Sequence, residues 1–320
     1  MRCRCSAISR TTWPRGLETG RTSSDGWLFE DDVELLMTYL AQPQPWLDEA
    51  ERHRNNALVL EISGVIRDAI DRCVDKVLRR PSPDWLRHLV RYWHKNRSLV
   101  ITLNYDTLVE RAAHEVQVVA NENDPTGDKR SLLCSDIYPV PMPTAASRNG
   151  SVSGNDPVES FMLAKLHGSS NWFHSRGGAI SGDPIFYVPV SAGWSVNDAL
   201  LKRSEDSHRA KVRDKTPFIV PPLADKIGYF RHEVLTATWD RAAQSLRDAK
   251  RCFALGYSFP KTDLTMQFFL LGNAPRKPVE LHVVNLTDEA FAQCKDLFSS
   301  HYDVRPMISA DAIPSLVGEL

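Results

Sequence analysis

The sequence predicts an α/β protein built on a parallel, doubly wound sheet, and three observations predict it. Apolar runs of strand length alternate with segments of helical spacing through the second half, and polar residues collect after strand after strand. The third is the stretch 98–110, where an apolar, β-branched run ends in Thr102, Asn104, Tyr105 and Asp106 and then becomes a helix-spaced segment at Leu108, Val109, Ala112 and Ala113. That is a strand, a tight turn and a helix. In an open parallel sheet, ligands bind at the carboxyl ends of strands, so the side chains of this turn are candidates for a site. Asn and Asp are also common helix caps, and that reading stands beside the functional one.

The elements follow in order. Val33, Leu35, Leu36, Tyr39 and Leu40 form a helix face after Asp31 and Asp32, closed by Pro43 and Pro45. Leu58, Ile62, Val65, Ile66, Ile70, Val74 and Val77 recur near the helical period, so 58–78 reads as one long helix ended by Pro81 and Pro83. Trp85, Leu86, Leu89, Val90 and Trp93 mark a shorter helix leading into the strand at 98–103. The segment 121–154 is rich in Asn, Asp, Pro, Ser and Gly, and reads as an insertion running over the surface.

Order returns with a strand at 161–166, followed by 167–172 as a second polar turn carrying His167 and Gly168. A lone His is commonly a core residue with a satisfied hydrogen bond, but the adjacent glycine lets a backbone pass close to a ligand. Strands are expected at 184–190 and 218–220, with a charged, partly helical excursion at 193–214 between them. A helix from Tyr229 leads into a strand at 252–255 that ends in Gly256 and Ser258, and Asp263 starts the next helix. The strand at 279–284 ends in Asn285, a helix runs to Leu297, and Val304 and the remaining residues supply a last strand and helix.

At 320 residues the chain is long enough for a substantial core. A formal net charge of -1 offers no basic field for nucleic acid. The longest apolar runs fall far short of the ~20 residues of a membrane helix. Six cysteines at wide spacings, without a C-x-x-C pair, argue against a zinc ribbon or a secreted disulfide scaffold and point to a reducing cytoplasm. Cys3 and Cys5 form only a short C-x-C, too few ligands for a metal site. Residues 1–26 hold five arginines and few acids. They resemble a transit peptide in composition but lack its amphipathic helix, and are read as a disordered or non-native start.

Four short patterns now stand in order: Thr102-Leu103-Asn104-Tyr105-Asp106, Lys165-Leu166-His167-Gly168-Ser169, Gly256-Tyr257-Ser258 with Asp263, and Val283-Val284-Asn285. Together, over roughly 30–310, they resemble the sirtuin-like superfamily, and more closely its prokaryotic branch, whose members look like NAD hydrolases of antiviral defence systems. The resemblance implies a Rossmann-like, NAD-binding domain over 27–320, with a helical part at about 29–96 and a loop insertion at about 121–158. It implies catalytic roles for Asn104, orienting the nicotinamide ribose and the attacking water, and for His167, contacting the ribose hydroxyls as base or orienter. It also implies that Thr102, Asp106, Gly168, Gly256, Ser258 and Asn285 contact NAD, the substrate: Asp106 near the carboxamide, Ser258 by the phosphate or ribose, Asn285 on the adenosine side. Cleaving the bond between ribose and nicotinamide passes through an oxocarbenium-like state with a good leaving group, for which an amide and an imidazole of near-neutral pKa suffice.

Two departures stand out. Sirtuin-type folds open with a strand and a phosphate-cradling turn of the form G-A-G-x-S, and Gly16, Gly20, Gly26 and Gly64 do not make one, so the first Gly-rich strand is missing. The paired C-x-x-C motifs of the deacylating sirtuins are also absent, and Leu103 stands where those enzymes carry Gln. Hydrolysis of NAD is the leading expectation. A catalytically impaired sirtuin-like NAD-binding or sensor subunit, partnering another defence protein, is the second, and protein deacylation ranks behind both. By analogy a homo-oligomer is expected; no metal, nucleic acid or membrane is.

Overall fold

The computed structural model describes residues 32–119, 129–144, 158–174, 184–190, 194, 199–223 and 226–320. The segment 1–26, with Cys3 and Cys5, and most of the glycine- and asparagine-rich stretch lie outside the described residues. The chain is mixed α/β, with parallel sheets and helices.

Helix α1 (Val33–Ala41) is capped by the Asp32 carboxylate, which accepts the Leu35 N–H at 2.9 Å. Helix α2 (Glu49–Leu78) starts well before the apolar period at Leu58, because Asp48 and Glu51 form a reciprocal capping box with bonds of 2.7 and 2.9 Å. Such a box fixes a helix start by satisfying free N–H groups, whatever the hydrophobic face does later. Leu36, Met37 and Leu40 of α1 bury against Val59 and Ile62 of α2. Helix α3 (Asp84–Lys95) then leads into β1 (Leu99–Thr102), the polar turn and α4 (Leu108–Glu115).

Next come the antiparallel pair β2 (Gln117–Val119) and β3 (Lys129–Ser131), and the short helix α5 (Cys134–Ile137). Here the expectation of an insertion running over the surface needs correction for 129–138. Leu132, Ile137 and Tyr138 are buried in the largest core cluster, beside Leu163 and Trp172. The few apolar residues of a polar segment anchor it inward.

Strand β4 (Met162–Lys165) pairs parallel with β1, Leu99 opposite Met162 and Thr102 opposite Lys165. The residues read as a turn at 167–172 are instead mostly strand: after a corner at His167, β5 (Gly168–His174) runs buried along its whole length. Its Ser and Asn residues are buried with hydrogen-bond partners, which is why the polarity of the stretch misled. Strand β5 lies between β6 (Ile185–Tyr187) and β7 (Thr216–Ile219), antiparallel to both, and α6 (Ala199–Ala210) falls between those two in the chain.

Helices α7 (Ile227–Phe230) and α8 (Glu233–Arg247) lead to β8 (Arg251–Leu255), α9 (Leu264–Gly272), β9 (Val279–Asn285), α10 (Asp288–Phe298), β10 (Tyr302–Ile308) and α11 (Ala312–Glu319). Strands β10, β9 and β8 form a parallel sheet in that order. Strand alternation covers both parallel pieces on two sides. In β4, Leu163 enters the cluster of α3 and α4, while Ala164, with Leu166 just past the strand end, packs with Ala242 and Leu246 of α8. In β9, Leu281 and Val283 pack with α10, and Val284 packs with Ala312 and Leu316 of α11. Cys252 of β8 and Leu99 and Ile101 of β1 line one cluster under α8 and α9, so the two parallel pieces share a core.

Candidate functional site

Parallel pairing in register brings the carboxyl ends of β1 and β4 side by side. The Leu166 N–H donates to the Thr102 carbonyl at 3.1 Å, beyond the Thr102–Lys165 pair. Asn104 follows Thr102 by two residues and His167 follows Lys165 by two, so both leave the same edge of the ladder. The turn at Asn104 is fastened by neighbours far off in the chain. The Tyr105 hydroxyl donates to the Val220 carbonyl at 2.5 Å, and the Tyr105 carbonyl accepts the Ser170 N–H at 2.8 Å. Burial raises the Tyr105 phenol above its ordinary range, so it stays a donor.

Asn104 is exposed. Its N–H donates to Thr102 Oγ1 at 3.1 Å, the role in which the structure places Thr102, and its side-chain amide meets no partner among the described residues. Asp106 Oδ1 accepts the Leu108 N–H at 3.0 Å just ahead of α4, whose N-cap is Thr107 without a side-chain capping bond. The Asp106 carbonyl accepts a hydrogen bond from Lys165 Nζ, which also donates to Glu110 Oε1 at 2.9 Å. Lys165 and Glu110 are both 1% exposed, and Glu110 further accepts from the Tyr138 hydroxyl at 2.9 Å. This buried pair escaped the sequence reading, although a lysine inside an apolar strand run was its signal.

His167 is 8% exposed, its carbonyl accepts the Val220 N–H at 2.8 Å, and its ring stacks on Phe230 with centroids 6.3 Å apart. Its Nε2 is buried and has no hydrogen-bond partner among the described residues. The near-neutral pKa expected of it is corrected: burial first, then the Lys226 ammonium, push it down to about 4, against a smaller upward pull from Asp263. The imidazole is therefore neutral at ordinary pH, with an open nitrogen able to accept or donate one hydrogen bond.

At Gly168, with φ +78°, an added Cβ would stand 2.3 Å from the Phe218 carbonyl oxygen. The backbone that needs this glycine is thus β7 of the same chain. At the end of β8, Gly256 has φ +68° and open space where a Cβ would point, and Ser258 is exposed. Phe259, buried, holds the left-handed φ of 52°, a strained conformation for a bulky residue. Asn285 straps this turn to β9: its Nδ2 donates to the Tyr257 carbonyl at 3.0 Å, and its Oδ1 accepts the Leu286 N–H at 2.8 Å. Both ends of that amide are engaged within the fold.

Asp263 joins the two halves of the rim. It caps α9 through the Met266 N–H at 3.3 Å, accepts the Tyr257 hydroxyl at 2.9 Å, and its charge reaches His167. The structure therefore brings together Asn104, Thr102, Asp106, His167 and Gly168 at the β1–β4 corner, and Gly256, Ser258 and Asn285 at the β8–β9 corner, with Asp263 between. Sequence reasoning missed Lys226, which no motif marks. Among the described residues no cluster of three or more His, Cys, Asp or Glu is placed to hold a metal ion. None of their helices is long and apolar enough to cross a membrane. No protein-family model and no curated protein matches the chain.

Proposed function

We propose that the chain hydrolyses NAD to nicotinamide and ADP-ribose at the rim formed by Asn104 and His167, on a Rossmann-like, doubly wound sheet, as a cytoplasmic antiviral-defence enzyme. The observation that carries this reading is the register of β1 on β4, which sets an unpartnered amide and a neutral imidazole with an open Nε2 on one carboxyl edge. In the reaction, the bond from ribose C1′ to the nicotinamide nitrogen breaks and its electron pair neutralises the pyridinium. A water oxygen bonds to C1′, and its proton passes to the imidazole or to solvent. The protein's task is to hold ribose and water in line and to stabilise the cationic ribose. A neutral His167 suits this better than a charged one, which would repel the developing cation.

The test is nicotinamide release from NAD by the purified protein beside Asn104→Ala and His167→Ala, each expected to lower the rate by about a hundredfold. Equal rates in all three proteins would remove both residues from the reaction. Binding of NAD without turnover would favour the sensor reading, to which the engaged amide of Asn285 lends some weight. Consumption of an acetylated peptide without free hydrolysis would favour deacylation.

A further inference from the structure

A dinucleotide carries two negative phosphates, and the sequence offers no Gly-rich turn to hold them. The rim does hold a cation. Lys226 opens the turn of α7: the N–H groups of Tyr229 and Phe230 donate to its carbonyl at 3.0 and 3.2 Å. Phe230, one turn on, is the ring that stacks on His167, so the lysine stands over the same corner of the sheet. Lys226 is half-buried and makes no ion pair or hydrogen bond through its side chain with any described residue. The same corner holds His167, nine-tenths buried, whose Nε2 has no partner among the described residues. An ammonium that no carboxylate among the described residues pairs is available to an anionic ligand.

We infer that Lys226 is the anion anchor of this site, its ammonium holding the diphosphate of the bound dinucleotide. This rests on the NAD reading above and goes beyond it, because it assigns the phosphate contact to one side chain, just ahead of α7.

The experiment is binding of ADP-ribose and of adenosine, by calorimetry, to the full chain and to Lys226→Gln and Lys226→Arg. Lys226→Gln is expected to weaken ADP-ribose about tenfold, the order set by one lost charge-assisted contact, and Lys226→Arg to restore it. Adenosine, without phosphate, is expected to bind all three alike. In NAD hydrolysis, Lys226→Gln is expected to act through KM, and the acid limb of the pH profile should move up as His167 loses the cation that depresses it, with Asp263 left as its charged neighbour. An unchanged ADP-ribose affinity in Lys226→Gln overturns the assignment, as does an equal loss for adenosine. Nicotinamide release is followed separately: its absence from the unaltered chain overturns the cleavage reading, while the binding constants still decide Lys226. Failure of the unaltered chain to bind ADP-ribose at all overturns the Lys226 assignment, and only the absence of nicotinamide release overturns cleavage.

Discussion

Replacing Lys165 by Met leaves the Glu110 carboxylate buried without its cation. Both side chains are 1% exposed, so water cannot take over the lost contact. Breaking a buried pair by removing one partner costs about 3 to 5 kcal/mol. Glu110 keeps the Tyr138 hydroxyl at 2.9 Å, which places the expected loss at the lower end, about 3 kcal/mol. Replacing Glu110 by Leu in the same chain removes the stranded charge and should recover part of that loss, leaving a deficit of about 1 to 2 kcal/mol from Tyr138, whose other acceptor, Asn171 Oδ1, lies at 3.5 Å. The assay is urea unfolding of the two single variants and the double variant, with the slope against denaturant unchanged. A loss below about 1 kcal/mol for Lys165→Met, or a double variant less stable than it, would refute the account of this pair. The same substitution frees the Asp106 carbonyl, so any NAD turnover should fall further than stability alone explains.

Gly168→Ala meets both a left-handed φ and a carbonyl oxygen 2.3 Å from the new methyl, and should cost about 3 kcal/mol or more, read as a fall in thermal midpoint; a loss under about 1 kcal/mol would mean β7 does not press on β5 as seen. His167 titrates near 4 when folded and near 6.5 when unfolded, so unfolding takes up a proton between those values and stability should fall as pH drops through that window. Up to about 3 kcal/mol is at stake, and chemical unfolding of the unaltered chain and His167→Gln at pH 7 and pH 4.5 should show the difference shrinking on acidification. Asp71, whose carboxyl burial raises above its ordinary value despite Arg209 at 3.3 Å, binds its proton more tightly folded than unfolded. Its contribution should decline as pH rises above 3.8, so Asp71→Asn should stabilise the chain at pH 8 relative to pH 4; the reverse would show that the Arg209 pair outweighs burial.

Local pattern carried the longer helices and most strands, because side-chain periodicity and end residues act within a few positions. The helices at Val33–Ala41 and Asp84–Lys95 and the strands at Leu99–Thr102 and Val279–Asn285 could be read almost to their ends. Strand β5 could not, because Gly168, Ser169, Ser170 and Asn171 are polar or small and become strand only where distant segments take up their backbone, β7 at Gly168, the Tyr105 carbonyl at Ser170 and the Val188 N–H at Asn171, and the core takes up their side chains. The start of α2 was hidden for the opposite reason, since a capping box acts before any apolar face begins.

For the rim, the sequence by itself determined which groups follow each strand: an amide after β1, an imidazole after β4, a hydroxyl after β8, an amide after β9. Only the tertiary structure decided what each is free to do. Among the described residues the Asn104 side-chain amide and His167 Nε2 have no partners, whereas Asn285 is engaged at both ends and Gly168 answers to Phe218. Lys165 meets Glu110 across 55 positions, and Lys226 enters the field of His167 from a helix that no motif announces. Those outcomes depend on which distant segments the core brings into contact, and burial then fixes the charge and hydrogen bonding of each group, neither of which a local pattern encodes.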